Sequence, residues 1–349
     1  MSLIIKLNNF RLIGSRAFSF ILLLTLLNCG AVTKKHTIQY TDGYGNPVSL
    51  FSVEKGSGIP VILIHGNSFD HTVWKKQFES DQLKNYRLIA YDLRGHGKSI
   101  HFNEPLNYKN QYSLKLHAED LSAVLKYYGL KEAILVGWSL GGNITLHYLS
   151  NHFQPPVKQA LIFGTTPSFG ASGEKQFPGG LPNLSGYFLK EFFLNRTPTQ
   201  EAIRAFSRAA IQKSSDSGDL LSDDEILYFS RVVASTDGYA RIGVTDGLKE
   251  MVADLTDGKL DMNSVTYDSY NFSQVELISK IQRIGTPVRV ILSSNDFFSM
   301  DQVKYLEKLN PEKISISQPY RVGHAVFYSE PELFHDELNK LIASSIKSK

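Results

Sequence analysis

Residues 137–141, Gly-Trp-Ser-Leu-Gly, have the types and spacing of a nucleophilic serine held on a tight turn. A β-rich run, residues 133–136, comes before this segment, and a helical pattern, residues 140–150, comes after it. The pattern G-x-S-x-G between a strand and a helix projects the serine oxygen above a sheet, and the helix amino terminus favours developing negative charge. We therefore predict that Ser139 is a nucleophile; the alternative is a glycine turn that only exposes a serine.

A serine hydroxyl needs a base, and one of the ten histidines stands apart from the others. His324 lies in a loop between the last predicted strand and the last predicted helix, which places it at the carboxyl edge of a parallel sheet, near Ser139. Asp296 follows a predicted strand and reaches the same edge, where a carboxylate would orient the imidazole. Asp301 is the competing acid, although its position favours a helix cap. The resulting order Ser139, Asp296, His324 is one of the known orders of a catalytic triad.

Acyl transfer also requires hydrogen-bond donors for the oxyanion. We predict that the main-chain N–H groups of Asn67, which follows an apolar run, and of Leu140 form this oxyanion hole. The Asn67 side chain is a candidate for a third donor or for a contact with the leaving group. The alternative for Asn67 is a turn residue in the left-handed conformation. This chemistry needs neither a metal nor an organic cofactor, so we predict none, and the single cysteine excludes a multi-thiolate metal site.

These residues require a sheet whose carboxyl edge brings them together. Short, wholly apolar runs alternate with helical patterns, which predicts an α/β fold with a mainly parallel, doubly wound sheet covered on both faces. The first two strands flank a turn and read as an antiparallel hairpin. The predicted strands are residues 37–40, 48–53, 61–65, 87–91, 133–136, 160–163, 288–292 and 314–316. The predicted helices are residues 74–83, 114–128, 140–150, 302–309 and 331–346.

Residues 165–284 interrupt the alternation, and their apolar residues recur at helical spacing. We predict that they form a helical cap inserted in a core made of residues 37–164 and 285–349. The cap is rich in aromatic residues, and we predict that Trp138 of the core and Phe188 of the cap line an apolar substrate pocket. The alternative is that such aromatic residues form the core of the cap itself.

The motifs together resemble those of α/β-hydrolases with a cap. The matching segments are His-Gly-Asn at residues 65–67, Asp-Leu-Arg-Gly-His-Gly-Lys-Ser at 92–99, the serine turn, Asp296 and Gly-His at 323–324, and the resemblance extends from about residue 38 to 346. It implies a serine carboxylesterase similar to pimeloyl-carrier-protein methyl esterases, with enol-lactone hydrolases and cofactor-free perhydrolases as near neighbours. Ser139 argues against the dehalogenases and epoxide hydrolases of this fold, which use an aspartate nucleophile.

The expected function is hydrolysis of a carboxylic ester or thioester of a small-to-medium hydrophobic substrate through an acyl-enzyme. Two alternatives stay open. One is a different reaction on the same triad, namely hydrolysis of a lactone or a carbon–carbon bond, or perhydrolysis. The other is a non-catalytic surface binding protein. The expected partner is a small-molecule ester, and the oligomeric state is left open.

The amino-terminal segment predicts export. The chain has 349 residues and a net charge of +3, too mild to indicate nucleic-acid binding, and residues 1–28 carry three basic residues and no acid. Residues 17–27 are apolar but shorter than the roughly 20 residues of a membrane-spanning helix, which is typical of a signal peptide. Cys29 follows, as in a bacterial lipoprotein signal, although Asn28 replaces the usual small residue.

From this pattern we predict that residues 1–28 are a signal peptide, that Cys29 carries the lipid and that residues 29–36 form a tether. The protein would then be exported and held at a bacterial membrane by its lipid anchor. Ordinary secretion with a free cysteine and an uncleaved amino-terminal anchor are the alternatives.

Overall fold

A computed structural model describes residues 32–102, 109–151, 153, 157–165, 191–192, 195–211, 221–241, 280–296 and 300–347. One eight-stranded sheet organises them, with the strand order β1-β2-β4-β3-β5-β6-β7-β8. Strand β2 pairs antiparallel with β1 and β4, and the remaining pairs are parallel. The strands are β1 (Lys34–Thr41), β2 (Pro47–Lys55), β3 (Ile59–Ile64), β4 (Tyr86–Tyr91), β5 (Ile134–Trp138), β6 (Gln159–Phe163), β7 (Val288–Ile291) and β8 (Ile314–Ile316).

The apolar runs predicted as strands are buried on both faces of this sheet. In β3, Ile62 and Ile64 pack into the core on one face, and Val61 and Leu63 pack into the core on the other. Successive side chains of a strand point to opposite faces, so a strand covered on both sides must be apolar throughout. This confirms the predicted parallel sheet.

The predicted hairpin of β1 and β2 is also confirmed, and it is longer than predicted. Strand β1 begins at Lys34, which pairs with Glu54 of β2, so the last residues of the predicted tether belong to the sheet. The turn is closed by Asp42, whose Oδ1 accepts hydrogen bonds from the main-chain N–H groups of Tyr44 and Asn46 at 3.0 and 2.9 Å.

The α-helices whose bounds the structure gives cover the sheet or lie between its strands in the chain. They are α1 (Lys75–Glu79), α2 (Lys109–Tyr112), α3 (Leu114–Tyr127), α4 (Leu140–Ser150), α5 (Gln200–Ile211), α6 (Asp223–Ala234), α7 (Met300–Leu309), α8 (Val326–Ser329) and α9 (Pro331–Lys347). Within these residues, none of the helices combines the length and the apolar character needed to cross a membrane.

The prediction of one helix over residues 74–83 is wrong. This segment contains a 3-10 helix (His71–Trp74), then α1, then a second 3-10 helix (Asp81–Leu83). The break lies at Ser80, which is extended and whose hydroxyl accepts a hydrogen bond from the N–H of Gln82 at 3.2 Å. A serine side chain that bonds to nearby backbone in this way competes with helix continuation.

Helices α5 and α6 lie in the chain between β6 and β7, within the predicted cap. Helix α6 begins with a capping box, in which Ser222 and Glu225 satisfy each other's main-chain N–H groups. The predicted domain boundaries stay predictions. Phe188 of the predicted cap, the predicted signal peptide and Cys29 lie outside the described residues.

Candidate active site

Ser139 occupies a strained turn between β5 and α4. Its φ is 54° and its ψ is −118°, although it is not a glycine, and such a conformation costs about 1–3 kcal/mol. The turn is held by its neighbours, since the N–H of Ser139 donates to the carbonyl oxygen of Phe163 at 3.0 Å. A Cβ at Gly137 or Gly141 would lie 2.5 Å or 2.2 Å from main-chain oxygen atoms, so only glycine fits either position. Ser139 itself is partly exposed, as a nucleophile must be.

His324 and Asp296 are in direct contact. Nδ1 of His324 lies 2.7 Å from Oδ1 of Asp296, and both side chains are only 3% exposed. The loops that carry them are joined by main-chain hydrogen bonds, from Ser294 to Tyr320 at 2.9 Å and from Asn295 to Val322 at 3.1 Å. The pair is thereby fixed by the ends of two neighbouring strands, β7 and β8.

The competing acid, Asp301, lies elsewhere. It sits in the first turn of α7 with its side chain 85% exposed, 3.8 Å from Lys304. Of the two candidate acids, Asp296 is therefore the one that contacts His324.

Two contacts place the His324 ring at the end of the sheet that carries Ser139. Gly164 follows directly on Phe163, the residue that accepts the Ser139 N–H, and has a φ of 57°. A Cβ at Gly164 would lie 2.9 Å from Cε1 and Nδ1 of His324. From the other side, the indole N–H of Trp138 donates to the carbonyl oxygen of His324 at 2.9 Å. The residue before the serine thus anchors the histidine loop.

Sequence reasoning missed both contacts. Gly164 offered one signal, a glycine directly after a predicted strand, but its partner is distant in the chain. Trp138 is fully buried against Phe69, Phe327 and the His324 ring. The predicted contacts of Trp138 and Phe188 with substrate stay predictions.

The predicted oxyanion residues flank Ser139. A Cβ at Gly66 would lie 3.0 Å from Cβ of Ser139, so the loop with Asn67 passes directly beside the serine. The left-handed residue of this loop is Ser68, with a φ of 67°, and not Asn67. Leu140 is the first residue of α4, where main-chain N–H groups have no partner within the helix.

Two fully buried histidines support this loop. His65 lies with Nδ1 2.8 Å from the carbonyl oxygen of Gly66 and with Nε2 accepting the N–H of Leu93 at 3.0 Å. Burial lowers the pKa of His65, which keeps this ring neutral. The second, His96, has Nε2 3.3 Å from Oδ1 of Asn67. The two imidazole rings therefore hold the loop that carries Asn67.

Among the described residues, Asp70, His71 and Asp92 form a group whose ligand atoms are close enough to hold a metal ion. The Asp92 carboxylate is already engaged as a hydrogen-bond acceptor. Oδ1 lies 2.7 Å from both the N–H and Nδ1 of His71, and Oδ2 accepts the N–H of Lys98 at 2.8 Å. These bonds hold the pKa of Asp92 low in spite of its burial. The hydrogen bonds of this group join the loop after β3 to the loop after β4.

An aromatic cluster joins the loop after β3 to the predicted cap. The Phe69 ring lies 4.8 Å from Trp138, 5.9 Å from Phe206 of α5 and 6.2 Å from Phe229 of α6. Phe206 in turn stacks on Phe192 at 4.0 Å. Phe69 is only two residues from Asn67, so α5 and α6 pack close to the candidate site.

Comparison with known proteins agrees with this fold. A family model described as the alpha/beta hydrolase fold matches residues 59–331, which is most of the chain. The chain belongs to the α/β-hydrolase family. This confirms the fold class predicted from the motifs.

Individual relatives are more distant. The chain is 31% identical over 133 residues to a non-heme haloperoxidase of Rhodococcus erythropolis, a match covering 38% of this chain and 46% of that protein. It is 30% identical over 140 residues to a pimeloyl-[acyl-carrier protein] methyl ester esterase of Vibrio vulnificus, covering 39% and 48%. The chain thus matches about half the length of these curated relatives. A solved structure of a putative aryl esterase from Burkholderia cenocepacia covers 90% of this chain and 100% of its own, with a TM-score of 0.68 and 22% identity.

Proposed function

We propose that this α/β-hydrolase is a serine hydrolase that cleaves carboxylic esters or thioesters through an acyl-enzyme. The observation that carries the proposal is the 2.7 Å contact of His324 with Asp296, at the end of the sheet that carries a strained, partly exposed serine. A nucleophile, a base and a group that orients the base are the parts this chemistry requires.

In the proposed mechanism, Oγ of Ser139 attacks the ester carbonyl while Nε2 of His324 takes the serine proton. Asp296 accepts from Nδ1–H of His324, which selects the tautomer with a free Nε2 and stabilises the imidazolium. The main-chain N–H groups of Asn67 and Leu140 stabilise the oxyanion. His324 then gives the proton to the leaving alcohol or thiol, and water hydrolyses the acyl-enzyme by the same steps in reverse.

The aromatic cluster of Phe69, Phe206 and Phe229 supports an apolar, small-to-medium acyl group as substrate. These rings pack between the core and helices α5 and α6, close to the oxyanion loop. Apolar rings do not replace the hydration that a strongly charged acyl group loses on burial.

Labelling with a fluorophosphonate and turnover of short nitrophenyl esters test this proposal. We expect the label on Ser139, and Ser139→Ala should lower kcat by up to about 10⁶-fold, because triad members act as a unit. Asp296→Asn should cost up to about 10⁴-fold, while Asp301→Asn is the matched control. Labelling of another residue, or equal losses from both aspartate variants, would refute the assignment.

The match to a bifunctional esterase/perhydrolase of Acinetobacter calcoaceticus, 30% identical over 124 residues, favours perhydrolysis as a second candidate. Hydrogen peroxide would then replace water: its oxygen attacks the acyl carbon, the bond to Oγ breaks, and a peracid leaves while Ser139 regains its proton. Peroxide-dependent bromination in the presence of acetate measures this reaction. The ratio of the bromination rate to the rate of ester hydrolysis decides between the two candidates.

We also propose that the protein is exported and anchored through a lipid on Cys29, as its amino-terminal segment suggests. Metabolic labelling with an alkyne fatty acid tests this. The expected result is label in the membrane fraction for the natural chain and none for Cys29→Ala. Label-free protein in the medium would instead support ordinary secretion.

A further inference from the structure

His96 contacts both the main chain of Arg94 and the side chain of Asn67, a predicted oxyanion residue. Its side chain is completely buried, with Nδ1 2.8 Å from the carbonyl oxygen of Arg94 and Nε2 3.3 Å from Oδ1 of Asn67. Both ring nitrogens thus face oxygen atoms. A neutral imidazole has only one N–H and cannot donate to both.

The protonation state of His96 decides which contact it donates to. Burial, together with the neighbouring His65 ring, lowers the pKa of His96 to about 3, so the ring is neutral near pH 7. The carbonyl oxygen of Arg94 can only accept, and it is the closer partner. The proton therefore sits on Nδ1, and Nε2 is an acceptor.

The Asn67 carboxamide must then turn its NH2 group toward His96. The oxygen and nitrogen of a carboxamide exchange places on a half-turn about χ2, and the hydrogen-bond network selects the orientation. Oδ1 of Asn67 lies 3.3 Å from Nε2 of His96 and accepts from Oγ of Ser68 at 3.4 Å. After the half-turn the nitrogen takes this position, its two hydrogens point to Nε2 of His96 and Oγ of Ser68, and the Ser68 hydroxyl changes from donor to acceptor.

The support beneath His96 is rigid. The guanidinium of Arg94 is fully buried and makes two hydrogen bonds of 2.7 Å to the Asp120 carboxylate, one of 3.2 Å to Asp42 and one of 2.8 Å to the carbonyl oxygen of Gln111. A forked pair of this kind fixes the position of the arginine. The carbonyl that holds His96 is therefore fixed as well.

We propose that His96 is a positioning residue that holds the Asn67 side chain, so that Asn67 contributes only its main-chain N–H to the oxyanion hole. The inference rests on the proposed function. It assigns the side-chain amide of Asn67 a supporting part, in place of a third oxyanion donor.

Four variants test the proposal by their values of kcat and KM. His96→Leu removes the acceptor and should lower kcat roughly 10-fold with KM nearly unchanged, since a small misplacement of a donor weakens the transition state. His96→Gln should restore most of the rate, because a glutamine oxygen can accept in place of Nε2. Asn67→Ala should lose as much as His96→Leu, and the double variant should lose no more than either single one.

A side-chain oxyanion donor predicts a different pattern. Asn67→Ala would then cost about 10²–10³-fold, far more than His96→Leu, and the proposal would be wrong. His335→Leu is the matched control, because it removes another buried histidine, in α9, whose ring contacts Ser80 and Gln77 and not the loop of Asn67, and we expect its kcat to stay near that of the natural protein.

Nitrogen-15 spectroscopy of the imidazole rings tests the geometry without any turnover. The expected signature of His96 is a neutral ring protonated at Nδ1, and protonation at Nε2 would overturn the proposal. Fluorophosphonate labelling separates the two hypotheses: if Ser139 of the natural protein is not labelled, the proposed function fails, whereas a labelled Ser139 with the wrong His96 tautomer refutes only the positioning role.

Discussion

Replacing Gly164 with alanine tests whether the His324 ring is held in place by close packing. The new Cβ would lie 2.9 Å from Cε1, Nδ1 and the carbonyl oxygen of His324. Carbon atoms pack at about 3.5–4.0 Å, so His324 has to move by roughly 0.6 Å or more. Nδ1 belongs to the 2.7 Å contact with Asp296, so this movement strains the contact that orients the proposed base.

We expect kcat of Gly164→Ala to fall about 10- to 100-fold, because a displacement of about 1 Å costs about 10²-fold. The positive φ adds a separate cost of about 1–2 kcal/mol in stability. Gly129→Ala is the matched control: Gly129 has a similar φ of 63°, and no atom lies within 4 Å of its Cβ position. It carries the backbone cost without the contact.

Initial rates on a nitrophenyl butyrate and thermal unfolding of both variants measure the two effects. Both variants should unfold at a lower temperature, but only Gly164→Ala should lose kcat. If the kcat values of the two variants agree within about threefold, the ring tolerates the Cβ and the reasoning about packing is refuted.

Three further predictions concern strain, an anchor and acid stability. Ser139→Gly should raise the free energy of unfolding by about 1 kcal/mol, since glycine tolerates the positive φ; an unchanged value in urea titrations would show that the turn is unstrained. Trp138→Phe should lower kcat roughly 10-fold, because the carbonyl of His324 loses its donor. Trp74→Phe is its control, since that indole N–H has no hydrogen-bond partner within the described residues, and equal losses would contradict the anchor. The pKa of His96 is about 3 in the folded protein and about 6.5 in the unfolded chain. Between these two pH values the unfolded chain therefore binds more protons than the folded protein. The contribution of His96 to the free energy of unfolding is fully present well above pH 6.5. It decreases as the pH is lowered, by about 2 kcal/mol at pH 5. Urea titrations should show a smaller decrease for His96→Gln, and equal decreases would contradict the neutral ring.

The sheet was predictable because its central strands are short apolar runs that few other structures accommodate. Residues 61–64 are buried on both faces, and helix α4 begins and ends where its pattern predicts. The prediction of one helix over residues 74–83 was wrong because Ser80 ends the helix. Its hydroxyl accepts the N–H of Gln82 and lies 3.2 Å from Nδ1 of the distant His335, and the spacing of apolar residues does not show that a serine takes this part.

The candidate site was predictable to the same degree. Ser139, Asp296 and His324 each follow a recognisable strand, so their common edge could be inferred from the alternation of strands and helices. The contacts of Gly164 with His324 and of His96 with Asn67 join distant segments of the chain. Spacing alone carries no signal for such pairs, and they become visible only in three dimensions.

The pairing of β6 with β7 has a consequence for how the protein becomes active. Ala160 pairs with Val288 across more than a hundred residues of intervening chain. Long-range parallel pairing is slow because the chain loses the entropy of loop closure before the strand contacts stabilise it. Asp296 and His324 both lie beyond that point in the chain, whereas Ser139 lies before it. During synthesis, Ser139 therefore emerges before the proposed base, and on the proposed mechanism an incompletely folded molecule carries an ordinary, unreactive hydroxyl. Labelling of Ser139 would then be a late event of folding that reports the pairing of β6 with β7.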